Sequence, residues 1–446
     1  MAKIMSNDYK FSAGNHGFAC NKLDSLSPVM IKMSDSSNLG LNLTVWSSAG
    51  VYMSTPWLSS PHLQTTFFRF FGRPPVFNYR REILTTSDGG TVALDWLARS
   101  DVMEKNEDTG NDEAHEDANT PIVIVIPGLT SDCDSVYIKH VAFYMAKRGW
   151  NVVVSNHRGL GGVPLTSDFF YNGGWTEDIR EVVQHIRSRS PDVSVFVIGT
   201  SLGANMMVKY LGEDGDGILI DGAAAVCCPW DLLLCDRFIG RHVVQGFYDK
   251  VLGASLKHYA KKHQDLFTRL TNWDGMQKAC SIRNFNTCGT CPVGKFDTVD
   301  TYHRQSSCAG YVGRIKVPLL CISALDDPVC TKEALIWDEC RVNKNIVLAT
   351  TQHGGHLGYL DGIDAKGIWW VRAVDEFLTV LGSSKLIKRQ NKIKKNYEDL
   401  PGSMGGGPLM IIRSRIMMRT VVSRIKKKII VQRLQEDCTC LLAVVV

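Results

Sequence analysis

The residues with the clearest chemical potential are Gly199-Thr-Ser201-Leu-Gly203, which follow the apolar run Val195-Phe-Val-Ile198 and run into Ala204-Asn-Met-Met-Val-Lys-Tyr-Leu211. A serine with glycine two positions to either side, set between a strand-like run and a helix-like one, forms a nucleophile elbow: a sharp turn that exposes the hydroxyl. Larger side chains at the glycine positions would collide with the neighbouring strand and helix. A glycine-rich turn without chemistry is the competing reading, and the flanking strand and helix patterns argue against it. A serine hydroxyl is a poor nucleophile at its free pKa and needs a base, which in turn needs an acid to orient it.

Both occur downstream in the order acid, then base. Val317-Pro-Leu-Leu-Cys-Ile-Ser323 reads as a buried strand and leads into Ala324-Leu-Asp326-Asp327-Pro-Val. Asn345-Ile-Val-Leu-Ala-Thr350 reads as the next strand and leads into Gln352-His353-Gly-Gly-His356-Leu-Gly358. Open α/β sheets place their chemistry just beyond the C-terminal ends of strands, where both loops fall. Asp326, three residues past the expected strand end at Ser323, is preferred as the acid; Asp327 directly precedes Pro328 and suits a turn. His356 is preferred over His353 as the base, because its flanking glycines let the loop approach the elbow. Either histidine alone would read as a solvated loop residue.

Acyl chemistry also needs backbone N–H groups where a carbonyl oxygen gains charge. Pro121-Ile-Val-Ile-Val-Ile126 has the unbroken apolarity of a central parallel strand and ends in Pro127-Gly-Leu129-Thr130. Leu129, from that loop, and Leu202, next to the serine, are the expected donors. Standing alone, Pro-Gly after a strand would be an ordinary turn.

These residues need a scaffold, and the hydropathy pattern supplies one. Strands are expected at 121–126, 151–155, 193–198 and about 218–226, with helices at 138–148, 176–188 and 202–211, an alternation that builds a mostly parallel sheet with helices on both faces. Asp88-Gly-Gly separates two strand-like runs within 81–99 and signals a hairpin. Residues 101–120 carry eight acids against one lysine and read as a solvated loop. An insertion of roughly 229–314 follows the fourth strand, with Phe238, Phe247, Tyr248, Leu252, Tyr259, Phe267 and Trp273 in a helix-compatible pattern. Its aromatics could line a lid over the serine or pack the insertion onto the body. Trp369-Trp370, in a helix-like segment 367–381, read as core. Residues 1–54 lack periodicity and are expected to be disordered, which leaves a domain of 55–384 and a tail of 385–446.

Ser60-Pro61-His62-Leu-Gln64-Thr65, the Pro-Gly-Leu-Thr loop, Asn156-His157-Arg158-Gly159, Gly-Thr-Ser-Leu-Gly, Val293-Gly-Lys295-Phe-Asp-Thr-Val-Asp300-Thr-Tyr302, the Asp-Asp-Pro-Val loop and His353-Gly-Gly-His-Leu-Gly occur in fixed order. Over roughly residues 55–380 the chain thereby resembles the α/β-hydrolase-domain esterases. These include plant embryogenesis-associated hydrolases, yeast medium-chain fatty acid ethyl ester synthase/esterases and mammalian monoacylglycerol and phospholipid hydrolases. The resemblance implies an α/β-hydrolase fold with an inserted helical cap, and Ser201, Asp326 and His356 as a catalytic set. It also implies a carboxylic ester or acylglycerol substrate, with acyl transfer to alcohols as a variant reaction. Cys288-Gly-Thr-Cys291 departs from the family pattern. Lacking a second close pair, it reads as reduced thiols rather than a metal site, and neither a metal nor a cofactor is expected.

Charge divides the chain. Residues 385–446 hold fourteen Lys and Arg against four Asp and Glu, so their net +10 leaves −5 on the other 384 residues of a chain whose total is +5. Residues 409–434 mix basic and apolar residues at helical spacing, as expected of an amphipathic helix on an anionic membrane surface, and Cys438 and Cys440 are candidate palmitoylation sites. The tail lacks interleaved aromatics and the body is acidic, so nucleic acid is not an expected partner. The fourteen cysteines are scattered, and there is neither a signal-peptide pattern nor an apolar run of membrane-spanning length. The expectation is a cytoplasmic protein with peripheral membrane contact. A non-catalytic ligand-binding module on the same fold is the rival reading, since fold does not determine function.

Overall fold

The computed structural model describes residues 30–33, 43–44, 52–102, 120–241 and 243–383. Ten strands form one sheet: β1 (Met30–Met33), β2 (Leu43–Thr44), β3 (Arg80–Thr85), β4 (Thr91–Leu97), β5 (Ile122–Ile126), β6 (Asn151–Ser155), β7 (Val195–Thr200), β8 (Gly222–Val226), β9 (Leu319–Ala324) and β10 (Ile346–Thr351). Their spatial order is β2-β1-β10-β9-β8-β7-β5-β6-β4-β3. The run from β6 to β10 is parallel, and antiparallel strands close both edges. Strands covered on both faces must be apolar throughout, and every residue of β5, β7, β8 and β9 is buried.

Alternate residues of each strand feed separate cores. Val123, Val125, Phe196, Ile198, Ala224 and Val226 face a cluster shared with helix α2 (Val136–Lys147) and the C-terminal helix Trp369–Ser383. Ile122, Ile124, Val195, Val197, Ala223 and Ala225 face one shared with α3 (Glu177–Arg189) and α4 (Leu202–Asp214). Trp369 and Trp370 are buried in the first cluster, so the pair is core. The chain passes from β5 to β6 on one side and then to β7 on the other. The loops after β5 and β7 therefore meet at the point where the winding reverses, the usual place for a site in such sheets.

Helices between Leu232 and Ser306 form the expected cap, beginning with α5 (Leu232–Arg241) and α6 (Val243–Lys262). The cap aromatics divide between the two expected roles. Phe267 and Trp273 pack the cap onto Leu160, Phe170 and Tyr171 of the body, whereas Phe247, Tyr248 and Leu252 line a cavity over the elbow and Tyr259 does both. Two expectations for the amino-terminal segment need correction. Met30–Met33 pairs with β10 and Leu43–Thr44 with β1, adding an edge that short polar-flanked runs did not announce, and Tyr52 is buried ahead of the expected start at 55. Most of the acidic loop (103–119) and the tail, including 409–434, lie outside the described residues.

Candidate active site

Ser201 has φ 50° and ψ −123°, a strained conformation that puts it between β7 and α4 with its carbonyl already accepting the first helical N–H groups, from Ala204 at 2.9 Å and Asn205 at 3.2 Å. The two motif glycines are needed for space. A Cβ on Gly203 would lie 2.2 Å from the carbonyl oxygen of Pro127, and one on Gly199 would lie 2.7 Å from Cα of Ala204. The elbow is thus wedged against the end of β5.

His356 comes to the serine on the loop after β10, with its Nε2 2.9 Å from Ser201 Oγ. Its other ring nitrogen, Nδ1, lies 2.9 Å from Oδ2 of Asp327 and 3.2 Å from Oδ1. The acid beside the base is therefore Asp327, and the preference for Asp326 is corrected. The reason is one residue of strand length: β9 runs to Ala324 rather than stopping at Ser323, so the position three residues past its end is Asp327. The expected turn role is also real. Asp327 Oδ1 accepts the N–H groups of Val329 and Cys330 at 2.8 and 2.9 Å, which holds the carboxylate rigid while it meets the imidazole. Asp326 serves the other histidine. It takes His353 Nδ1 at 3.1 Å and the Gly355 N–H at 3.0 Å, tying down the loop that carries His356, and burial pushes its carboxyl pKa up.

That loop has a second anchor, in the Ser60-Pro-His-Leu-Gln-Thr65 motif, whose role the sequence alone does not show. In helix α1 (Pro61–Phe71), Thr65 Oγ1 accepts the His356 N–H at 2.9 Å, and Gln64 Oε1 accepts the Leu360 N–H at 2.9 Å and the Tyr52 hydroxyl at 3.0 Å. Gly355 (φ 60°) passes so close to α1 that a Cβ there would sit 2.6 Å from the Pro61 carbonyl oxygen. Ser-Pro-His-Leu-Gln-Thr is thus the clamp on the histidine loop.

The expected donors Leu129 and Leu202 both line the cavity beside Ser201, and among the described residues neither amide has a protein acceptor. Their neighbours are taken. The Gly128 N–H donates to the Tyr137 hydroxyl and the Thr130 N–H to the Tyr171 hydroxyl, each at 2.9 Å, so the loop is held with Leu129 between two fixed amides. His157 stacks on Tyr171 at 4.5 Å between centroids and its Nε2 lies 2.8 Å from the Pro127 carbonyl oxygen; burial pulls its pKa down, so the neutral ring donates there. Tyr137 and Tyr171 carried no sequence signal, because a hydroxyl aimed at an amide leaves no periodicity. Leu202 also opens α4, whose N-terminal dipole favours negative charge.

The cavity above these groups has a volume of about 310 Å³ and walls that include Leu129, Leu202, Phe247, Tyr248, Leu252 and Phe285. Cys227, Asp327 and His356 approach closely enough to suggest a metal by distance. The donor set does not fit one: Asp327 and Ser201 engage both ring nitrogens of His356, and burial raises the Cys227 thiol pKa far above its usual value. Cys288 and Cys291 are free thiols that pack in different clusters.

A doubly wound sheet, a strained serine at its winding reversal and a histidine–aspartate pair beside that serine define an α/β-hydrolase. The chain belongs to the hydrolase family described as Hydrolase_4, serine aminopeptidase S33, which matches residues 117–356. It is similar to Embryogenesis-associated protein EMB8 of Picea glauca, 35% identical over 345 residues that cover 76% of this chain and 74% of that one. Phospholipase ABHD3 of Homo sapiens is 29% identical, covering 70% of this chain and 74% of its own. Monoacylglycerol lipase of Saccharomyces cerevisiae is 27% identical, covering 74% and 81%.

Proposed function

We propose that the protein hydrolyses carboxylic esters of lipid-like substrates, such as short- or medium-chain acyl esters and monoacylglycerols, through an acyl-enzyme on Ser201. His356 takes the Ser201 proton as Oγ attacks the ester carbonyl, and Asp327 holds the imidazole and stabilises it once charged. The N–H groups of Leu129 and Leu202 receive the developing oxyanion; donors so placed are typically worth about 10²–10³-fold in rate. His356 then gives its proton to the departing alcohol and activates water for the second half. An alcohol in place of that water would complete an acyl transfer by the same steps.

The observation that carries this reading is the unbroken contact from Asp327 through His356 to Ser201, opening on an apolar cavity. The names of the similar phospholipase and monoacylglycerol lipase support a lipid ester as substrate. The same contact weighs against a non-catalytic binding role, which would not need a base held at the serine. Fluorophosphonate labelling followed by hydrolysis of p-nitrophenyl esters of graded chain length tests it. The wild type is expected to label and turn over, and Ser201→Ala to do neither; an unlabelled wild type would end the reading.

The protein is further proposed to work at the surface of an intracellular membrane from the cytoplasmic side. The basic tail supports this, as do Phe70 and Phe247, which line the cavity and are exposed. Among the described residues no helix is long and apolar enough to cross a membrane.

A further inference from the structure

The cavity is apolar near the serine but not at its cap end. There Asp236 of α5, Asn286 and Thr290 of a short helical turn, and His303 of the helix Val299–Ser306 all reach its wall. Asn286, Thr290 and His303 are each buried, and the Asp236 carboxylate is nearly so. The Thr290 hydroxyl donates to Asn286 Oδ1 at 2.9 Å, which turns the amide so that Nδ2 donates to His303 Nε2 at 3.3 Å. Burial keeps the imidazole neutral, its pKa pulled down against the opposing pull of Asp236. A neutral ring that accepts at Nε2 carries its proton on Nδ1.

That Nδ1 is buried and has no hydrogen-bond partner. Among the described residues it is the one cavity-lining side-chain polar atom in that state. Thr65, Thr66 and Ser255, which also line the cavity, donate to carbonyls one turn back in their own helices. Asp236 Oδ2 lies 3.9 Å from His303 Nδ1, too far to bond. Arg283 donates to that same Oδ2 at 2.6 Å and holds its charge in place, and a carboxylate oxygen has a second lone pair with which to accept. A donor and an acceptor separated by 3.9 Å leave room for one oxygen atom within bonding distance of both. A hydroxyl fits this gap because it can accept from Nδ1–H and donate to the carboxylate. A methyl group satisfies neither, and an anion would be repelled by Asp236.

We propose that Asp236 and His303, set by Asn286 and Thr290, form a hydroxyl-binding subsite that selects esters carrying a free hydroxyl group, the property of a partial ester of a polyol. This rests on the ester-hydrolase reading and adds to it the feature of the substrate that is recognised. A buried polar pair left unfilled by a substrate lacking the hydroxyl discriminates strongly, whereas apolar walls discriminate weakly.

The test compares kcat/KM for 1-monooctanoylglycerol and propyl octanoate, which share the acyl group and a three-carbon alcohol and differ in hydroxyls. The wild type is expected to favour the glycerol ester at least about tenfold, and His303→Phe and Asp236→Leu, which remove the donor and the acceptor, each to bring the ratio within about twofold of unity. If His303→Phe does not fold, as judged by its melting transition, Asp236→Leu carries the comparison alone. Equal turnover of the two esters by the wild type, or a preference that survives in the folded variants, would overturn the subsite. Hydrolysis of p-nitrophenyl octanoate separates the two levels. If that ester is cleaved without hydroxyl preference, only the subsite is lost; if no ester is cleaved and Ser201 does not label, the hydrolase reading falls and the subsite with it.

Discussion

Adjacent aspartates with different tasks make the sharpest residue-scale test. Asp327 contacts His356 and Asp326 contacts His353, so the same substitution at neighbouring positions should have unlike consequences. Asp327→Asn would leave the His356 ring facing an amide that can neither fix its tautomer nor stabilise its charge; kcat on a p-nitrophenyl ester is expected to fall by about 10³–10⁴. Asp326→Asn keeps an oxygen for the Gly355 N–H and should stay within about tenfold of wild type. Comparable losses in both variants would refute the assignment. A pH signature accompanies it. Because burial raises the Asp326 pKa in the folded state, native Asp326 holds its proton to higher pH than the unfolded chain does. Its contribution to stability is complete below the ordinary carboxyl value and is lost as pH rises through the raised one. The melting temperature of wild type relative to Asp326→Asn should therefore decline from pH 4 to pH 7. The serine, the histidine and the two amides were legible from residue type and position after a strand. The acid was legible only to within one residue, since strand ends cannot be read to that precision from hydropathy.

At the scale of elements, the active histidine depends on a helix that comes nearly three hundred residues earlier in the chain. Helix α1 offers Thr65 Oγ1 to the His356 N–H, and its Gln64 holds Leu360, so the loop after β10 is docked rather than free. Thr65→Val keeps shape but removes the acceptor, leaving a partly buried N–H unpaired at a cost of about 1–3 kcal/mol. Part of that cost should appear as displacement of the imidazole: kcat is expected to fall about tenfold, with KM changing less, and Thr65→Ser should restore it. A Thr65→Val enzyme with wild-type kcat would show that the clamp is only structural. Sequence could mark Pro61-His-Leu-Gln-Thr as a recurrent motif, yet its role depends on a long-range contact that no local pattern encodes. The same holds for Tyr171, which fixes the Thr130 amide from 41 residues away, while Tyr137, nine residues after Gly128, fixes that amide from the next helix. The central strands were legible because burial on both faces demands unbroken apolar runs. The edge strands β1 and β2 were not, because an edge needs only backbone pairing.

Across the whole molecule, the proposed attachment to a lipid surface can be tested through the separation of charge and the exposed rim of the cavity. The body carries net −5 and residues 385–446 carry net +10, so a body left to itself would be repelled by an anionic bilayer and the tail would be drawn to it. Basic residues near such a surface contribute about 1 kcal/mol each, attenuated by salt. Phe70 on α1 and Phe247 on α6 both line the cavity and are exposed, and the His62 Nδ1 to Tyr248 hydroxyl contact at 3.0 Å joins those two helices beside the opening. A bilayer touching this rim would let an ester enter the cavity without its acyl chain crossing water. Two contributions should then be separable by co-sedimentation with phosphatidylserine-rich vesicles. The full chain is expected to pellet at low salt and to be largely released at high salt, while a chain ending before residue 405 should remain mostly in solution under both conditions. If the tail supplies the salt-sensitive binding, Phe247→Ser in the full chain should leave that binding largely in place but should reduce turnover of vesicle-borne ester more than turnover of a dissolved short-chain one. Identical sedimentation of the full and shortened chains would remove the tail from this account. Equal effects of Phe247→Ser on the two substrates would remove the rim, because a residue that merely lines the cavity should act on both alike.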